Sequence, residues 1–326
     1  MQKFAELDID SIHKSVLLDE SIKYLCPMED GVYIDATMGL GGHTKSLLEA
    51  CNYKSKIIGM DVDENALNFS RERLEGHEDN VEFVNKNFVN IDKALDELEI
   101  EKVDGIIADL GISSFQLDHS TKGFSFSRSE PLDMRMDASL RFTAYDLVNE
   151  MDQTELEHIF KVYGEERFAR NIAKLIIKNR ENKPIQTSSE LAAIISNSIP
   201  RKFHPKRIHP ATKSFQALRI AINNELENLK LFIDKAVSLL NPKGRLVIIS
   251  FHSLEDRIVK KTFKKYESPC ICPPDLPMCS CGKEAQLKLV NKSPIKPTEE
   301  EIVENPRSRS SKMRVAEKLD TNLGEN

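Results

Sequence analysis

The sequence predicts an α/β fold, in which a doubly wound parallel sheet is interrupted by an all-α segment. In the first third of the chain, short apolar strands alternate with helices, which is typical of a parallel sheet with helices on both faces. From about residue 116 to residue 199 the strand signal almost vanishes, and helical segments follow one another. A buried strand pattern returns at Arg245–Ser250. One interrupted sheet domain explains this order more simply than three successive domains.

The first third supplies the strands and helices that begin the sheet. Strands are predicted at Val32–Ala36, Lys56–Met60, Val81–Val84 and Val103–Asp109. The helices between them are predicted at His43–Ala50, Glu64–Leu74 and Ile91–Leu98. Asp63 stands directly before the second helix and is predicted to cap it, because its side chain can accept a hydrogen bond from the first turn.

The middle of the chain predicts a helical domain, and the end returns to the sheet. Helices are predicted at Ala144–Glu150, Thr154–Tyr163, Glu166–Asn179 and Ser188–Ser198. Thr154 and Glu157 have the spacing of a capping box. A long helix is predicted from about Phe215 to Leu240, and further strands lie near residues 286–290 and 311–316. We therefore predict a discontinuous sheet domain of residues 1–115 and 216–326, and an all-α insertion domain of residues 116–215.

The composition is that of an ordinary soluble protein. The 326 residues are 40% hydrophobic and 30% charged, and no window approaches 18 uninterrupted apolar residues. The N-terminal residues lack the apolar stretch of a signal peptide. We therefore expect a cytoplasmic protein that does not span a membrane, whereas the oligomeric state stays open between a monomer and a homodimer.

A formal net charge of −6 means that any nucleic-acid binding must depend on local basic patches. Candidate patches are formed by Arg201, Lys202, Lys206 and Arg207, by Lys260, Lys261, Lys264 and Lys265, and by Arg307, Arg309, Lys312 and Arg314. Each could also be a solvated face that nearby acidic residues balance. Together they predict a composite RNA-binding surface.

Four of the six cysteines form a C-x-C…C-x-C cluster at Cys270, Cys272, Cys279 and Cys281. In a cytoplasmic protein such a cluster indicates a zinc site or reduced thiols rather than disulfides. The spacing is not the usual C-x-x-C, and no histidine joins it. We therefore favour a turn-rich loop with reduced thiols and assign no metal here.

A glycine-rich turn follows the first strand, and an acidic residue follows the second. Gly41 and Gly42 allow the backbone to approach a ligand closely, and Asp61 can accept hydrogen bonds from ribose hydroxyls. Thr44 stands where a dinucleotide fingerprint would have its third glycine. This favours a smaller adenosine ligand, with S-adenosylmethionine as the natural candidate. Asp61 could also be a simple helix cap.

Other strand ends supply further candidate residues, because ligands of open α/β sheets bind beyond the carboxyl ends of the strands. Phe88 follows the third strand and is either an apolar wall for adenine or part of the core. His43 either donates to the ligand or caps its helix. Asp109 ends the fourth strand before a glycine-containing turn. Its carboxylate could orient an exocyclic amine for methyl transfer, or bind the amino group of the cofactor.

A polar and aromatic loop lies at the start of the predicted insertion. Phe124 or Phe126 could stack on a base, and Arg128 or Arg135 could bind a phosphate. The same residues could instead pack against one another as a closed loop, and the sequence leaves both interpretations open.

At these residues the chain resembles the RsmH (MraW) family of S-adenosylmethionine-dependent 16S rRNA cytosine-N4 methyltransferases. The motifs that carry the resemblance span nearly the whole chain: residues 13–18, 42–43, 109–114, 123–126, 132–137, 163–167, 215–219, 249–257 and 305–310. The resemblance implies a class I methyltransferase (Rossmann-like) domain with an all-α insertion, and we expect the insertion of residues 116–215 to act as an RNA-recognition lid. It also implies methylation of a cytosine in the decoding region of the small ribosomal subunit.

The resemblance implies cofactor contacts at Gly41, Gly42, His43, Asp61, Phe88, Asp109 and Gln116. Two other functions remain open. A nicotinamide-dependent Rossmann oxidoreductase could use the same sheet, although no catalytic Tyr–Lys pair is evident. A non-catalytic ribosome assembly factor could keep the pocket without using it.

Overall fold

The computed structural model describes residues 14–112, 120–206, 208–273 and 280–320. The chain divides into two compact units. The first, the sheet unit, consists of Met1–Gly111 together with Leu226–Asn326, and the second, the insertion unit, consists of Ile112–Glu225. Within the described ranges, no helix has both the length and the apolar character needed to cross a membrane.

The sheet unit is built on a seven-stranded sheet with the order β3-β2-β1-β4-β5-β7-β6. The strands are β1 Val32–Asp35, β2 Lys56–Asp61, β3 Val81–Asn85, β4 Val103–Asp109, β5 Leu240–Ser250, β6 Leu287–Leu289 and β7 Lys312–Lys318. The first five are mutually parallel, and β7 is antiparallel to both of its neighbours. The chain reverses its strand order beside β1, so the prediction of a doubly wound sheet is confirmed.

Helices cover both faces of this sheet. They are α1 Leu18–Leu25, α2 Gly42–Ala50, α3 Glu64–Arg73, α4 Ile91–Glu97, α10 Glu225–Leu239 and α11 Ser253–Glu267. The sheet unit also contains the short helix α12 Glu299–Glu304, which has no buried residue. Successive strand residues point to opposite faces, so Ile106 lies in the core beneath α4, α10 and α11, whereas Ile107 lies in the core beneath α1, α2 and α3. The buried parallel strands therefore read as continuous apolar runs.

The insertion unit contains the helices α5 Ala144–Glu150, α6 Gln153–Val162, α7 Ala169–Arg180, α8 Ser188–Ser198 and α9 Thr212–Asn223. Its described residues include no strand beyond an isolated bridge between Pro131 and Thr187. The predicted capping box at Thr154 is wrong: α6 begins at Gln153, and its capping box is formed by Asp152 and Glu155. Asp152 and Glu155 have the same spacing as Thr154 and Glu157, and the helix is capped by the first of these two pairs.

The long helix predicted from Phe215 to Leu240 is two helices, so that prediction is wrong. Asn224 adopts the left-handed conformation, with φ of 50°, and ends α9. An asparagine tolerates this conformation better than other non-glycine residues. Because α9 packs into the insertion core through Phe215 and Leu218, the insertion unit extends to Glu225 rather than to residue 215. Its first boundary lies at Gly111 rather than at residue 115.

Candidate functional site

Three carboxylates end neighbouring strands in the middle of the sheet. Asp35 ends β1, Asp61 ends β2 and Asp109 ends β4, and β1 pairs in parallel with both of the other strands. The carboxyl ends of parallel strands meet at one edge, so the three side chains share that edge. We call these three residues the acidic edge.

The glycine turn is tied to the acidic edge through its backbone. Gly39 adopts a φ of 53°, and its N–H donates to Asp61 Oδ2 at 2.8 Å. Gly41 has a φ of 75° and precedes α2. A Cβ on Gly42 would lie 2.1 Å from the hydroxyl oxygen of Ser15. The glycine at position 42 is therefore explained by packing within the protein. At Gly39 there is more space, since an added Cβ would meet only a backbone oxygen at 3.9 Å.

Asp61 is oriented by backbone groups on both of its oxygens. Besides the bond from Gly39, its Oδ1 accepts the Asp63 N–H at 2.9 Å. Burial raises the pKa of Asp61 to about 6, although these hydrogen bonds act in the opposite direction. Asp63 in turn caps α3 by accepting the Asn65 N–H, as predicted. Asp61 as a whole is half-buried, and the expected contact of its carboxylate with ribose stays a prediction.

Asp109 combines a fixed backbone with a buried carboxyl oxygen. Its N–H donates to Thr37 Oγ1 at 2.6 Å. Its Oδ1 is buried and makes no hydrogen bond within the described structure. Burial raises the pKa of Asp109 well above its ordinary value, and the neighbouring carboxyls of Asp35 and Glu255 add to the shift. A buried acceptor without a partner is costly, and such groups cluster where a ligand supplies the partner.

Asp35 belongs to this site, although we did not identify it from the sequence. It is 1% exposed, and its Oδ2 accepts the Thr44 hydroxyl at 2.8 Å. Burial is the largest cause that raises its pKa to about 6, and Asp61 contributes as a like charge. The signal in the sequence was a charged residue at the end of an apolar strand. Three adjacent carboxyls with raised pKa values form a favourable environment for a cation.

Two other predicted cofactor residues have partners inside the protein. His43 is buried, with its Nε2 3.1 Å from the carbonyl oxygen of Val16. Phe88 is partly exposed and makes an edge contact with Phe232, at 5.2 Å between ring centroids. Both residues therefore have a structural role, and their contact with a ligand remains a prediction. Gln116 lies outside the described residues.

The end of β5 brings a further carboxylate toward the sheet edge. Glu255 is 3% exposed and accepts the Phe251 N–H at 2.8 Å. It forms a capping box with His252 at the start of α11, and the two side chains approach to 3.1 Å. The spacing of three residues between His252 and Glu255 is the sequence pattern that indicates this capping box. The box explains how Glu255 is held near enough to Asp109 to raise its pKa.

The polar and aromatic loop of the insertion unit is largely self-paired. Phe124 lies in the insertion core, so it is not available to stack on a base. Arg135 forms two hydrogen bonds with Asp133, of 2.7 and 2.9 Å, and Arg128 pairs with Glu130 at 2.8 Å. Phe126 stacks on His209 at 4.5 Å. The closed-loop interpretation therefore fits these contacts better than binding of a base or a phosphate.

An exposed aromatic ring that the sequence did not single out lies in the insertion unit. Phe203 is 42% exposed, and the cations of Arg167 and Lys202 each lie 5.1 Å from its ring centroid. It borders a cleft that Arg167, Phe168 and Lys213 also line. We call Arg167, Lys202 and Phe203 the aromatic platform. An exposed ring flanked by cations is the arrangement on which single-stranded nucleic acids stack.

Comparison with known proteins identifies the family. The model of the MraW methylase family matches residues 10–319. Proteins called ribosomal RNA small subunit methyltransferase H are 52% identical in Clostridium botulinum strain Loch Maree, 50% in Clostridioides difficile and 48% in Caldicellulosiruptor bescii. Each alignment covers 94% of this chain and 99% of the relative. The chain therefore belongs to the MraW methylase family, as its resemblance predicted.

Proposed function

We propose that this chain transfers a methyl group from S-adenosylmethionine to the exocyclic N4 amine of a cytosine in the decoding region of 16S rRNA. The acceptor is the small ribosomal subunit, in the cytoplasm. Membership of a methylase family supports the reaction class, and the names of the relatives support ribosomal RNA as the substrate. The same membership disfavours a nicotinamide-dependent oxidoreductase.

One structural observation carries the choice of an amine as the acceptor. The buried Oδ1 of Asp109 has no partner in the described structure and stands at the end of β4, the middle strand of the sheet. An exocyclic amine has two N–H groups, and one of them can donate to this oxygen. The unpaired acceptor would then be satisfied only when substrate is present.

The acidic edge fits the positive charge of the proposed cofactor. Asp35, Asp61 and Asp109 each have a raised pKa, chiefly because burial disfavours their charged forms. A sulfonium cation nearby favours the ionised carboxylates and is stabilised by them. When bound, S-adenosylmethionine supplies an activated methyl group on that sulfonium. Asp61 and the turn at Gly39 would hold its ribose.

Asp109 acts on the acceptor by orientation. The hydrogen bond from Asp109 N–H to Thr37 fixes the backbone at the strand end, so the carboxylate has a defined position. Accepting one amine N–H turns the nitrogen lone pair in a fixed direction, and this matters because a conjugated amine is a weak nucleophile. As the new carbon–nitrogen bond forms, the same oxygen can take the proton that the amine loses.

The aromatic platform would contact RNA outside the reacting base. Phe203 can stack on an unpaired base, while Arg167 and Lys202 neutralise phosphates. Lys312 and Arg314, by contrast, are already paired with Asp256 at 3.2 and 2.7 Å. The insertion unit is thus the better candidate for the RNA-recognition role expected of residues 116–215.

A reaction with small ribosomal subunits tests the proposal. Subunits that lack the modification are incubated with the chain and S-adenosylmethionine, and rRNA fragments are analysed by mass spectrometry. We expect one added methyl on a cytosine of the decoding region, with the mass and chromatographic behaviour of N4-methylcytidine. Methylation of another base would refute the substrate. No methylation, despite cofactor binding, would favour a non-catalytic assembly factor.

A further inference from the structure

Three cysteine thiols converge in the segment that joins α11 to β6. The sulfur atoms of Cys270, Cys272 and Cys281 all lie within 4.8 Å of one another. With zinc–sulfur bonds of about 2.3 Å, a tetrahedral site places its sulfurs about 3.8 Å apart. The three thiols are therefore spaced so that small side-chain adjustments would bring them to one ion.

The described part of the segment that carries these thiols buries no apolar side chain. Phe263 and Leu287 are buried, but no described residue between Tyr266 and Leu287 is buried. Ile271, which stands between two of the cysteines, is 71% exposed. The base of the segment is closed by a 2.9 Å hydrogen bond from Gln286 N–H to the Tyr266 carbonyl. In such small units a metal ion often replaces the missing core.

Backbone features around the cluster suit charged sulfur atoms. The Ser280 N–H donates to Cys272 Sγ at 3.4 Å, and the Ser280 hydroxyl lies 3.6 Å from the same sulfur. Hydrogen bonds of this kind stabilise and orient metal-binding thiolates. Gly282 has a φ of 62°, which lets the chain turn directly after Cys281.

We propose that Cys270, Cys272 and Cys281 bind Zn²⁺ through their thiolates. Sulfur ligands favour zinc over the oxygen-preferring divalent cations, and each thiol releases its proton to solvent as it binds. The sequence offers Cys279 as a further thiol, but it lies outside the described residues, and the proposal depends on the other three. A bound zinc ion would link residues 270–272 to Cys281, in addition to the backbone hydrogen bond between Gln286 and Tyr266.

Metal analysis of the full-length chain tests this proposal. The chain is purified with a reducing agent, incubated with Zn²⁺ and desalted, and its zinc is measured by mass spectrometry. We expect about one zinc per chain, lost in Cys272→Ser and in Cys281→Ser. Cys26→Ser is the control, because Cys26 is an exposed cysteine outside the cluster and its thiol donates to the Lys23 carbonyl at 3.2 Å. That variant should keep its zinc.

Two measurements on the unaltered chain keep the test independent of how well the variants fold. Co²⁺ bound at this site should produce sulfur-to-cobalt charge-transfer bands in the near ultraviolet. Zn²⁺ should slow the alkylation of Cys270, Cys272 and Cys281 by iodoacetamide, but not that of Cys26. A chain that retains no zinc, a cobalt spectrum without these bands, or equal alkylation with and without zinc would overturn the proposal.

Discussion

Asp109 and Thr37 are joined by a 2.6 Å hydrogen bond from the backbone N–H of Asp109 to the hydroxyl oxygen of Thr37. The bond links the end of β4 to the turn that follows β1. It holds the backbone of Asp109, whose carboxyl Oδ1 has no hydrogen-bond partner among the residues that the structure describes. The position of the carboxylate is therefore set by the scaffold, and its hydrogen-bonding capacity is kept for a ligand.

Asp109→Asn should lower the rate of methyl transfer and raise the stability of the fold. The amide keeps the shape of the side chain but loses the charge that accepts the amine proton, so we expect methyl transfer to fall by about 100-fold or more. The free energy of unfolding should rise by about 1 kcal/mol or more at a pH at which Asp109 is ionised, because the variant has no charge to bury at this position. Single-turnover transfer of a tritiated methyl group and urea denaturation measure the two effects. If the variant transferred the methyl group at the rate of the unaltered chain, Asp109 would have no catalytic role.

Asp35 should make the protein less stable as the pH rises from about 4 to about 6. Its pKa is about 6 in the fold against an ordinary value of 3.8, so in this range the folded state holds a proton that the unfolded state has released. Stability is therefore lost as the pH rises through the folded pKa. Relative to Asp35→Asn, the unaltered chain should lose free energy of unfolding across this window, as measured by urea denaturation at successive pH values.

Asp256 provides a control of opposite sign for this pH experiment. Its ion pairs with Arg314 and Lys312 lower its pKa despite partial burial, so its contribution to stability is lost as the pH falls. Asp256→Asn should therefore lose most stability relative to the unaltered chain at neutral pH. If both variants differed from the unaltered chain by amounts independent of pH, the shifted pKa values would be refuted.

Asp61→Asn should weaken the binding of S-adenosylmethionine. A hydrogen bond to a charged carboxylate contributes about 1.5–3 kcal/mol, and the amide cannot accept equally on both sides. Isothermal calorimetry should show this loss, whereas Asp63→Asn should bind normally, since an asparagine can still cap α3. Unchanged affinity in Asp61→Asn would remove this residue from the ribose contact.

Gly42→Ala should destabilise the fold through a clash with Ser15. The added Cβ would lie 2.1 Å from the Ser15 hydroxyl oxygen, and overpacking of this kind costs about 1–3 kcal/mol. The double variant Ser15→Ala with Gly42→Ala should recover part of the loss, because the hydroxyl oxygen is gone. Denaturation of the three variants provides the comparison. Full stability of Gly42→Ala alone would contradict the packing role.

Phe203→Ala should weaken RNA binding, with little effect on binding of S-adenosylmethionine alone. Stacking of one base on an aromatic ring contributes about 1–3 kcal/mol. Tyr53→Ala is a matched control, because both rings are 42% exposed and Tyr53 lies in the sheet unit, stacked on His77. Filter binding to small-subunit rRNA at several salt concentrations compares the two variants. Equal affinities would exclude the aromatic platform from the interface.

Much of the sheet could be predicted because its strands are short apolar runs that end in polar residues. The bounds of β4 were predicted as observed, and those of β2 differ by one residue. The break at Asn224 could not be predicted in the same way. The apolar period continues through it, and its left-handed conformation follows from packing of α9 and α10 into different cores.

The site was harder to predict than the fold, because it depends on contacts between distant residues. Asp61 and Asp109 were identifiable as acidic residues at strand ends. Asp35 was overlooked beside the more prominent glycines, and Phe203 lies in a segment that carries no motif. The close approach to Gly42 comes from the hydroxyl of Ser15, and no local pattern relates those two positions.

The interruption of the sheet unit between β4 and β5 also fixes an order of events during synthesis. β4 leaves the ribosome before residues 112–225, and its neighbour β5 only after them. The helices of the insertion contact one another locally, so the insertion can fold as soon as it emerges. The middle of the sheet can form only after β5 has been synthesised, because β4 pairs with β5. A folded insertion also shortens the span of flexible chain that must be closed to join the two strands. Truncated nascent chains ending before Leu240 would therefore contain a folded insertion beside an unfinished sheet.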